Sequence, residues 1–514
     1  MSFDPPERFN LADYCLDARV REGSGERVAL RTDEATFTYA DIQALAHRFG
    51  HALRALGVRR EERVFLALAD GPEFVGALFG VLEIGSVAVM VNPDLEAERL
   101  TALFQYCRPG GVVLDTAHLA AFDSSVAAAT ERPPFLVVGA GPTGRHTTFE
   151  PSRFDETLET AATHRDDPAI WLFSGGTTGL PKAVVQSHRS FANTTECYAK
   201  SAMAYGPQDV TLSVPKLYFG YATGSNLLFP FSVGASAVLF PERPTAEVLF
   251  EKIRRHRPTI LVNVPTMVGQ MVDHPEASLQ DLSCLRFATS AGEALPVPLY
   301  ERWKTTFGVE LLDGLGTAEM WHIFLSNRPD EVRPGTLGKA VAGFDVRVRD
   351  EAGADLPDGE VGHLWVRGAS RAIGYWRNQE QTERAFRGEW FVGGDLVVRD
   401  PAGWITYCGR SDDVLKVGGK WLAPQEVESC LMRHEAVAEC AVVGVENEEG
   451  LVKPYAFVVA ADGAGGELED RLKAHVLASL QPYKHPRRVI LVDTLPRTHL
   501  GKIDRNRLKK LADR

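Results

Sequence analysis

An α/β fold follows from two observations. Short apolar, β-branched runs alternate with stretches of helical periodicity, and glycine-rich turns stand directly after several of those runs. From Thr38 to Leu56 apolar residues recur at helical spacing, and Val64-Phe65-Leu66-Ala67-Leu68 then reads as a buried strand. Phe74 to Val91 is the most apolar region. It contains Glu83 and Gly85 and ends at Asn92-Pro93, which suits a buried helix and strand better than a membrane span. Ile170-Trp171-Leu172 reads as a strand. Ala237-Val238-Leu239-Phe240 precedes a helix through Ile253, and Thr259-Ile260-Leu261-Val262 opens another strand that ends before Pro265. Such βαβ order predicts parallel sheets covered by helices, with ligands at the carboxyl ends of the strands. Near Gly409-Arg410-Ser411-Asp412-Asp413 the pattern changes, and the rest reads as a small mixed α/β unit behind a hinge. Ala140 to Thr148 and Asp462 to Gly466 read as exposed connections.

At 514 residues the chain predicts more than one compact unit. A net charge of -12 argues against a nucleic-acid groove, which needs clustered Lys and Arg. The seven cysteines (Cys15, Cys107, Cys197, Cys284, Cys408, Cys430, Cys440) form no CxxC pair, so buried thiols in a reducing cytoplasm are expected. Asp4, Pro5, Pro6 and Glu7 stand where a secretory signal would need a basic start, and no export or membrane span is expected.

The segment Phe173-Ser174-Gly175-Gly176-Thr177-Thr178-Gly179-Leu180-Pro181-Lys182-Ala183 follows a strand and reads as an anion-binding loop. Glycines let successive N–H groups converge on a phosphate, the threonines add hydroxyl donors, and Lys182 adds charge. It is not the P-loop of ordinary nucleotide triphosphatases, because Pro181 precedes the lysine and Ala183 follows it.

Further segments join this loop: Ser290-Ala291-Gly292-Glu293, Asp313-Gly314-Leu315-Gly316-Thr317-Ala318-Glu319, Gly393-Gly394-Asp395, Gly409 to Asp413 with Lys416-Val417-Gly418-Gly419, and Leu495 to Lys502. In this order they resemble the acyl-adenylate-forming superfamily of acyl- and aryl-CoA ligases, luciferases and peptide-synthetase adenylation domains. Glu319 to Asn327, with Tyr218-Phe219-Gly220-Tyr221 upstream, looks like the benzoate-CoA ligase branch. The resemblance spans nearly the whole chain. It implies a large domain, residues 1–411, of parallel-rich sheets with a distorted barrel-like part, and a small mobile α+β domain, residues 412–514.

By that resemblance Ser174, Gly175, Gly176, Thr177, Thr178, Gly179 and Lys182 hold phosphates, and Glu319 is the magnesium-linked carboxylate. Lys502 is the mobile lysine of adenylation. Asp395 accepts the ribose hydroxyls with Arg410 beside it, while Ala291, Gly292, Glu293, Asp313, Gly314 and Thr317 complete the nucleotide site. Asp412 is the hinge, whose rotation would withdraw Lys502 and bring Lys416, Gly418 and Gly419 beside a pantetheine channel. Gly220, Tyr221, Gly316, His322 and Ile323 would line a flat pocket suited to a planar ring.

The chain departs from the family pattern at Gly175, Ala318 and Gly393, where a hydroxyl is usual, and at Ala183, where glycine is usual. A lost hydroxyl removes a hydrogen bond worth about 0.5–1.5 kcal/mol net. Thr177, Thr178 and Thr317 are expected to compensate. Gly220 stands where the branch usually has alanine, which predicts a methyl's worth of room for a ring substituent.

The expected function is an ATP-dependent, AMP-forming aryl-CoA ligase acting on benzoate or an amino- or hydroxy-substituted benzoate such as 2-aminobenzoate, with ATP, Mg2+ and coenzyme A. One alternative is a stand-alone aryl adenylation enzyme that loads the phosphopantetheine thiol of a carrier protein. Another is a non-catalytic adenylate-binding protein. A monomer or homodimer is expected.

Overall fold

The computed structural model describes residues 3–126, 132–174, 182–411, 415–417, 420–446, 452–461, 468–497 and 503–512. Two largely parallel sheets organise the large unit. The first has eight strands in the order Gly374–Tyr375, Lys182–Ser187, Pro168–Ser174, Val87–Met90, Arg63–Ala67, Gly111–Asp115, Phe135–Val138 and Thr147–Thr148. Its strands from Pro168–Ser174 onward run parallel, and Lys182–Ser187 turns back antiparallel along Pro168–Ser174.

The second sheet has nine strands: Lys339–Ala340, His322–Ser326, Leu311–Thr317, Phe287–Ser290, Ile260–Asn263, Val210–Ser213, Ser236–Val238, Val28–Arg31 and Thr36–Thr38. Its middle is parallel, and the hairpin partner His322–Ser326 is antiparallel to Leu311–Thr317. The barrel-like part expected within the large unit has its counterpart in a five-stranded antiparallel sheet built on Val361–Arg367 and Trp390–Arg399.

The periodic segments fold as their patterns demand. Tyr39–Ala55 is a helix whose start is set by Thr38, which accepts from the Asp41 N–H while the Asp41 side chain accepts from Thr38 N. Pro72–Glu83 is a helix buried along almost its whole length, and Val87–Met90 is a strand with every residue buried. Among the described residues no helix is long and apolar enough to cross a membrane.

Described residues from Leu415 onward form their own apolar clusters, one including Val427, Val442 and Leu472 and another including Val443 and Leu508. Their three-stranded sheet of Val437–Glu446, Val452–Ala460 and Arg488–Leu491 is flanked by the helices Pro424–Leu431, Leu468–Ser479 and Arg505–Ala512. Six of the seven thiols are buried, and Cys284 is partly exposed. Ala140 to Thr148 runs mostly exposed and ends in the two-residue edge strand Thr147–Thr148. The glycine-rich stretch from Asp462 to Gly466 lies outside the described residues.

Candidate active site

The two parallel sheets present their carboxyl ends to one region, and polar side chains collect there. Ser174 ends one strand. Ser290 ends another and lies in register with Asp313. Among the described residues, Ser174 Oγ, Ser290 Oγ, Asp313 Oδ1 and His322 Nδ1 are all buried without a hydrogen-bond partner. Buried polar atoms are normally satisfied, so these four make the region a candidate for receiving polar atoms of a ligand. Burial holds the Asp313 carboxyl well above its usual range, opposed by the N–H of Gly314.

Lys182 starts the strand Lys182–Ser187 directly opposite Ser174, so the two ends of the glycine-rich loop meet in register. Its ammonium stands 5.4 Å from the centre of the Tyr375 ring. The Tyr375 hydroxyl in turn donates to Glu319 Oε1 at 2.9 Å. One tyrosine therefore connects the cation of the loop with the buried carboxylate after Thr317. Burial, reinforced by Glu319, pushes the Tyr375 phenol far above its ordinary range, so it remains a donor. The backbone around Glu319 is also held. Gln186 Nε2 donates to the Ala318 carbonyl at 2.6 Å, and the Ala372 N–H to the Glu319 carbonyl at 2.8 Å.

Asp395 and Arg410 are Cα partners on adjacent antiparallel strands. Arg410 donates to Asp395 Oδ1 at 3.3 Å, and the Tyr407 hydroxyl reaches the same oxygen at 3.4 Å. Asp395 is only 5 % exposed, and burial raises its pKa against the opposing pull of Arg410. Ala291 is buried beside the exposed Gly292, and Glu293 Oε2 accepts from Thr266 at 3.0 Å. Thr317 has a structural duty: its oxygen accepts from Met320 N at 3.2 Å and caps the short turn Ala318–Met320. That lone pair is not available as a replacement for the hydroxyl absent at Ala318, although the Thr317 O–H can still donate.

The aromatic end of the site is assembled by one hairpin and one short helix. Gly316 pairs with Ile323 and Thr317 with His322. Helix Gly220–Thr223 brings Tyr221 alongside, its hydroxyl 2.7 Å from Thr289 Oγ1 and its ring 5.2 Å from that of His322. His322 Nε2 lies 3.0 Å from the Tyr221 carbonyl and 3.0 Å from Ser225 Oγ. A carbonyl only accepts, so Nε2 carries the proton and the orphaned Nδ1 is a bare acceptor. Burial lowers the imidazole pKa to about 3 and keeps it neutral. Trp321 and His322 both adopt positive φ, 42° and 77°, an uncommon conformation for side chains of this size and one that clusters at functional sites.

The unfolded His322 would titrate near its ordinary value of 6.5 and the folded one near 3. Its contribution to stability is thus complete above pH ~6.5 and is lost as pH falls toward the folded value. The fall in thermal midpoint between pH 7.5 and 5 is expected to be shallower for His322→Gln than for the wild type. Equal slopes would show that the imidazole takes up its proton in the folded state.

The extra room expected at Gly220 is not open. A Cβ there would sit 3.1 Å from Leu172 Cδ1 and 3.5 Å from the Trp321 ring, because Leu172 already fills the space. Gly220→Ala is therefore expected to act through Leu172 and to change kcat/KM for benzoate and 2-aminobenzoate by similar factors, within about threefold of each other. A selective loss of the substituted acid would mean that the methyl points at the ring after all.

Gly175, Gly176, Thr177, Thr178, Gly179, Asp412, Gly418, Gly419 and Lys502 lie outside the described residues, and Lys416 is described only as strand backbone. Sequence reasoning missed Tyr375, Thr289, Ser225 and Tyr407. Tyr375 sits in a Gly-Tyr-Trp run that carries no chemistry by itself, and the other three show no local signal.

The profile of the AMP-binding enzyme family matches residues 16–376, and that of the AMP-binding enzyme C-terminal domain matches residues 426–502. The chain belongs to the AMP-binding enzyme family. Within this acyl-adenylate-forming superfamily it falls on the benzoate-CoA ligase branch. A benzoate–CoA ligase of Thauera aromatica is 40% identical over 98% of this chain and 96% of its own. Among solved structures, the anthranilate CoA ligase AuaEII in complex with anthranoyl-AMP superposes with a TM-score of 0.94 at 36% identity, covering 99% of this chain and 98% of that one. A benzoate CoA ligase from Burkholderia xenovorans LB400 superposes with a TM-score of 0.89 at 39% identity, covering 98% and 100%. This family member thus has well-matched relatives along its full length.

Proposed function

We propose that this chain is an AMP-forming acid–thiol ligase that converts benzoate or an amino- or hydroxy-substituted benzoate to its CoA thioester. ATP and CoA are co-substrates. The observation that carries the reading is the hairpin from Leu311 to Ser326. In this reading it carries Asp313, Thr317 and Glu319 for the nucleotide and its metal, and Gly316, His322 and Ile323 for the ring, only a few residues apart on two paired strands and the turn between them. Activating an aryl acid requires its carboxylate to meet the α-phosphate, and this hairpin joins the two halves of that encounter.

In the first half-reaction a carboxylate oxygen attacks the α-phosphorus and pyrophosphate leaves. In the second the CoA thiol attacks the acyl carbonyl and AMP leaves. Both oxyanions need oriented donors and cations, which Lys182, the glycine-rich loop with Thr177 and Thr178, and Lys502 would supply. Glu319 offers a hard carboxylate oxygen of the kind Mg2+ takes, with Tyr375 orienting it. When bound, the ion would neutralise phosphate charge. Asp395 and Arg410 would hold the ribose. We place the domain boundary at residues 411 and 412, with Asp412 as the hinge and Lys416, Gly418 and Gly419 on the thiol side.

The His322 environment favours a ring bearing a donor, because an amino or hydroxyl hydrogen would satisfy the bare Nδ1. The decisive assay is acid-dependent AMP formation with CoA across benzoate, 2-aminobenzoate, the hydroxybenzoates and a medium-chain fatty acid. Turnover of aromatic acids with matching CoA thioester is expected. Acyl-adenylate formed without CoA consumption would move the acceptor to a carrier protein, and no AMP with any acid would overturn the reading.

A further inference from the structure

Away from the candidate site, three buried side chains converge in a way that hydrogen bonding does not explain. Asp17 ends the helical segment Asp13–Asp17, His47 lies in helix Tyr39–Ala55, and Glu83 is the last residue of helix Pro72–Glu83. They are 5 %, 7 % and 0 % exposed. One ligand atom from each lies within 4.8 Å of the others. Among the described residues, neither oxygen of Glu83 has a hydrogen-bond partner and no lysine or arginine lies within ion-pair distance of either carboxylate. Two buried carboxylates that share only one histidine as a close partner are costly, and burial pushes the Glu83 carboxyl well above its usual range against the more distant pull of Arg54.

The surrounding groups orient these atoms toward a common centre. His47 Nδ1 is 2.6 Å from the Glu156 carbonyl, which only accepts, so Nδ1 carries a proton and Nε2 is the ring nitrogen turned toward the two carboxylates. One ring N–H tied to a carbonyl, with the other nitrogen facing acidic oxygens, is the orientation a metal-bound histidine usually has. Asp17 is fixed in the same manner, with Gln43 donating to one oxygen at 2.8 Å and Thr160 to the other at 2.7 Å. Nε2 stands 3.7 Å from Glu83 Oε1 and 4.0 Å from Asp17 Oδ1. Those separations exceed a hydrogen bond. They approach the ligand-to-ligand spacing of roughly 3.3–3.6 Å that a tetrahedral ion with bonds of about 2.0–2.2 Å imposes.

We propose that Asp17, His47 and Glu83 form a structural binding site for a zinc-class divalent cation. One neutral imidazole and two carboxylates balance its charge. The ion would fasten together the segment ending at Asp17, two helices, and the 156–161 stretch through Glu156 and Thr160. Helix Pro72–Glu83 runs back from the carboxyl end of strand Arg63–Ala67, so Glu83 lies at the opposite edge of the sheet from Ser174. The site is therefore a staple and takes no part in ligand activation.

The test uses the full chain, stripped with chelator and then exposed to Zn2+ without nucleotide. Metal content after gel filtration should reach about one zinc per chain, and the thermal midpoint should rise by several degrees. Glu83→Gln and His47→Gln should lose both responses, whereas Glu319→Gln should keep them, separating this site from any ion held with ATP. Should those variants fail to fold, Asp17→Asn and the wild-type zinc content still decide. A wild type that retains no zinc, or zinc retained equally by Glu83→Gln, overturns the proposal.

Discussion

Glu319→Gln is expected to lower acid-dependent AMP formation by about 10²–10³-fold while leaving the thermal midpoint nearly unchanged. The amide keeps the shape of the side chain, and its carbonyl can still accept from the Tyr375 hydroxyl that now donates to Oε1 at 2.9 Å. Only the charge is lost. Tyr375→Phe removes the orienting bond and the polar edge near Lys182 but leaves the carboxylate, so a smaller loss of roughly tenfold is expected. Single-turnover kinetics would assign both losses to adenylation. Activity of Glu319→Gln within threefold of wild type would show that the buried charge at this position is not used in the transition state.

Gly316→Ala is the second substitution with a large expected effect, and its cause is backbone geometry. A Cβ at 316 would fall well inside contact distance of the His322 carbonyl and 2.8 Å from Ile323 N. Both obstacles are main chain, so no rotamer change relieves them, and the strands Leu311–Thr317 and His322–Ser326 must separate locally. Overpacking of this kind costs about 1–3 kcal/mol and displaces His322 and Ile323 together. A shift of about 1 Å in substrate-positioning groups lowers rate by about 10²-fold. We expect kcat/KM for benzoate to fall by at least that factor, with a lower urea midpoint. Near-normal activity at unchanged stability would mean that the hairpin has slack and does not position the acid.

The α/β class and the order of elements were legible in the sequence because apolar periodicity is local. Thr38 capping Tyr39–Ala55 and the wholly apolar Val87–Met90 strand follow from residues that lie next to one another. The candidate residues of the site were also legible, since Lys182, Glu319, Asp395 and Arg410 sit in motifs with a recognisable order. Their partners were not. Tyr375 meets Glu319 across 56 residues, Tyr221 meets Thr289 across 68, and Ser225 meets His322 across 97.

The same holds for the space at Gly220, which Leu172 fills from another strand, and for Asp17, His47 and Glu83, which no spacing in the chain connects. The sequence by itself determined the elements and the supply of ionisable groups, through short-range periodicity and turn chemistry. Tertiary structure alone decided which groups touch, which stay unpaired and which room is filled. Those outcomes depend on sheet order and helix crossing, and a one-dimensional pattern does not encode the distances that result.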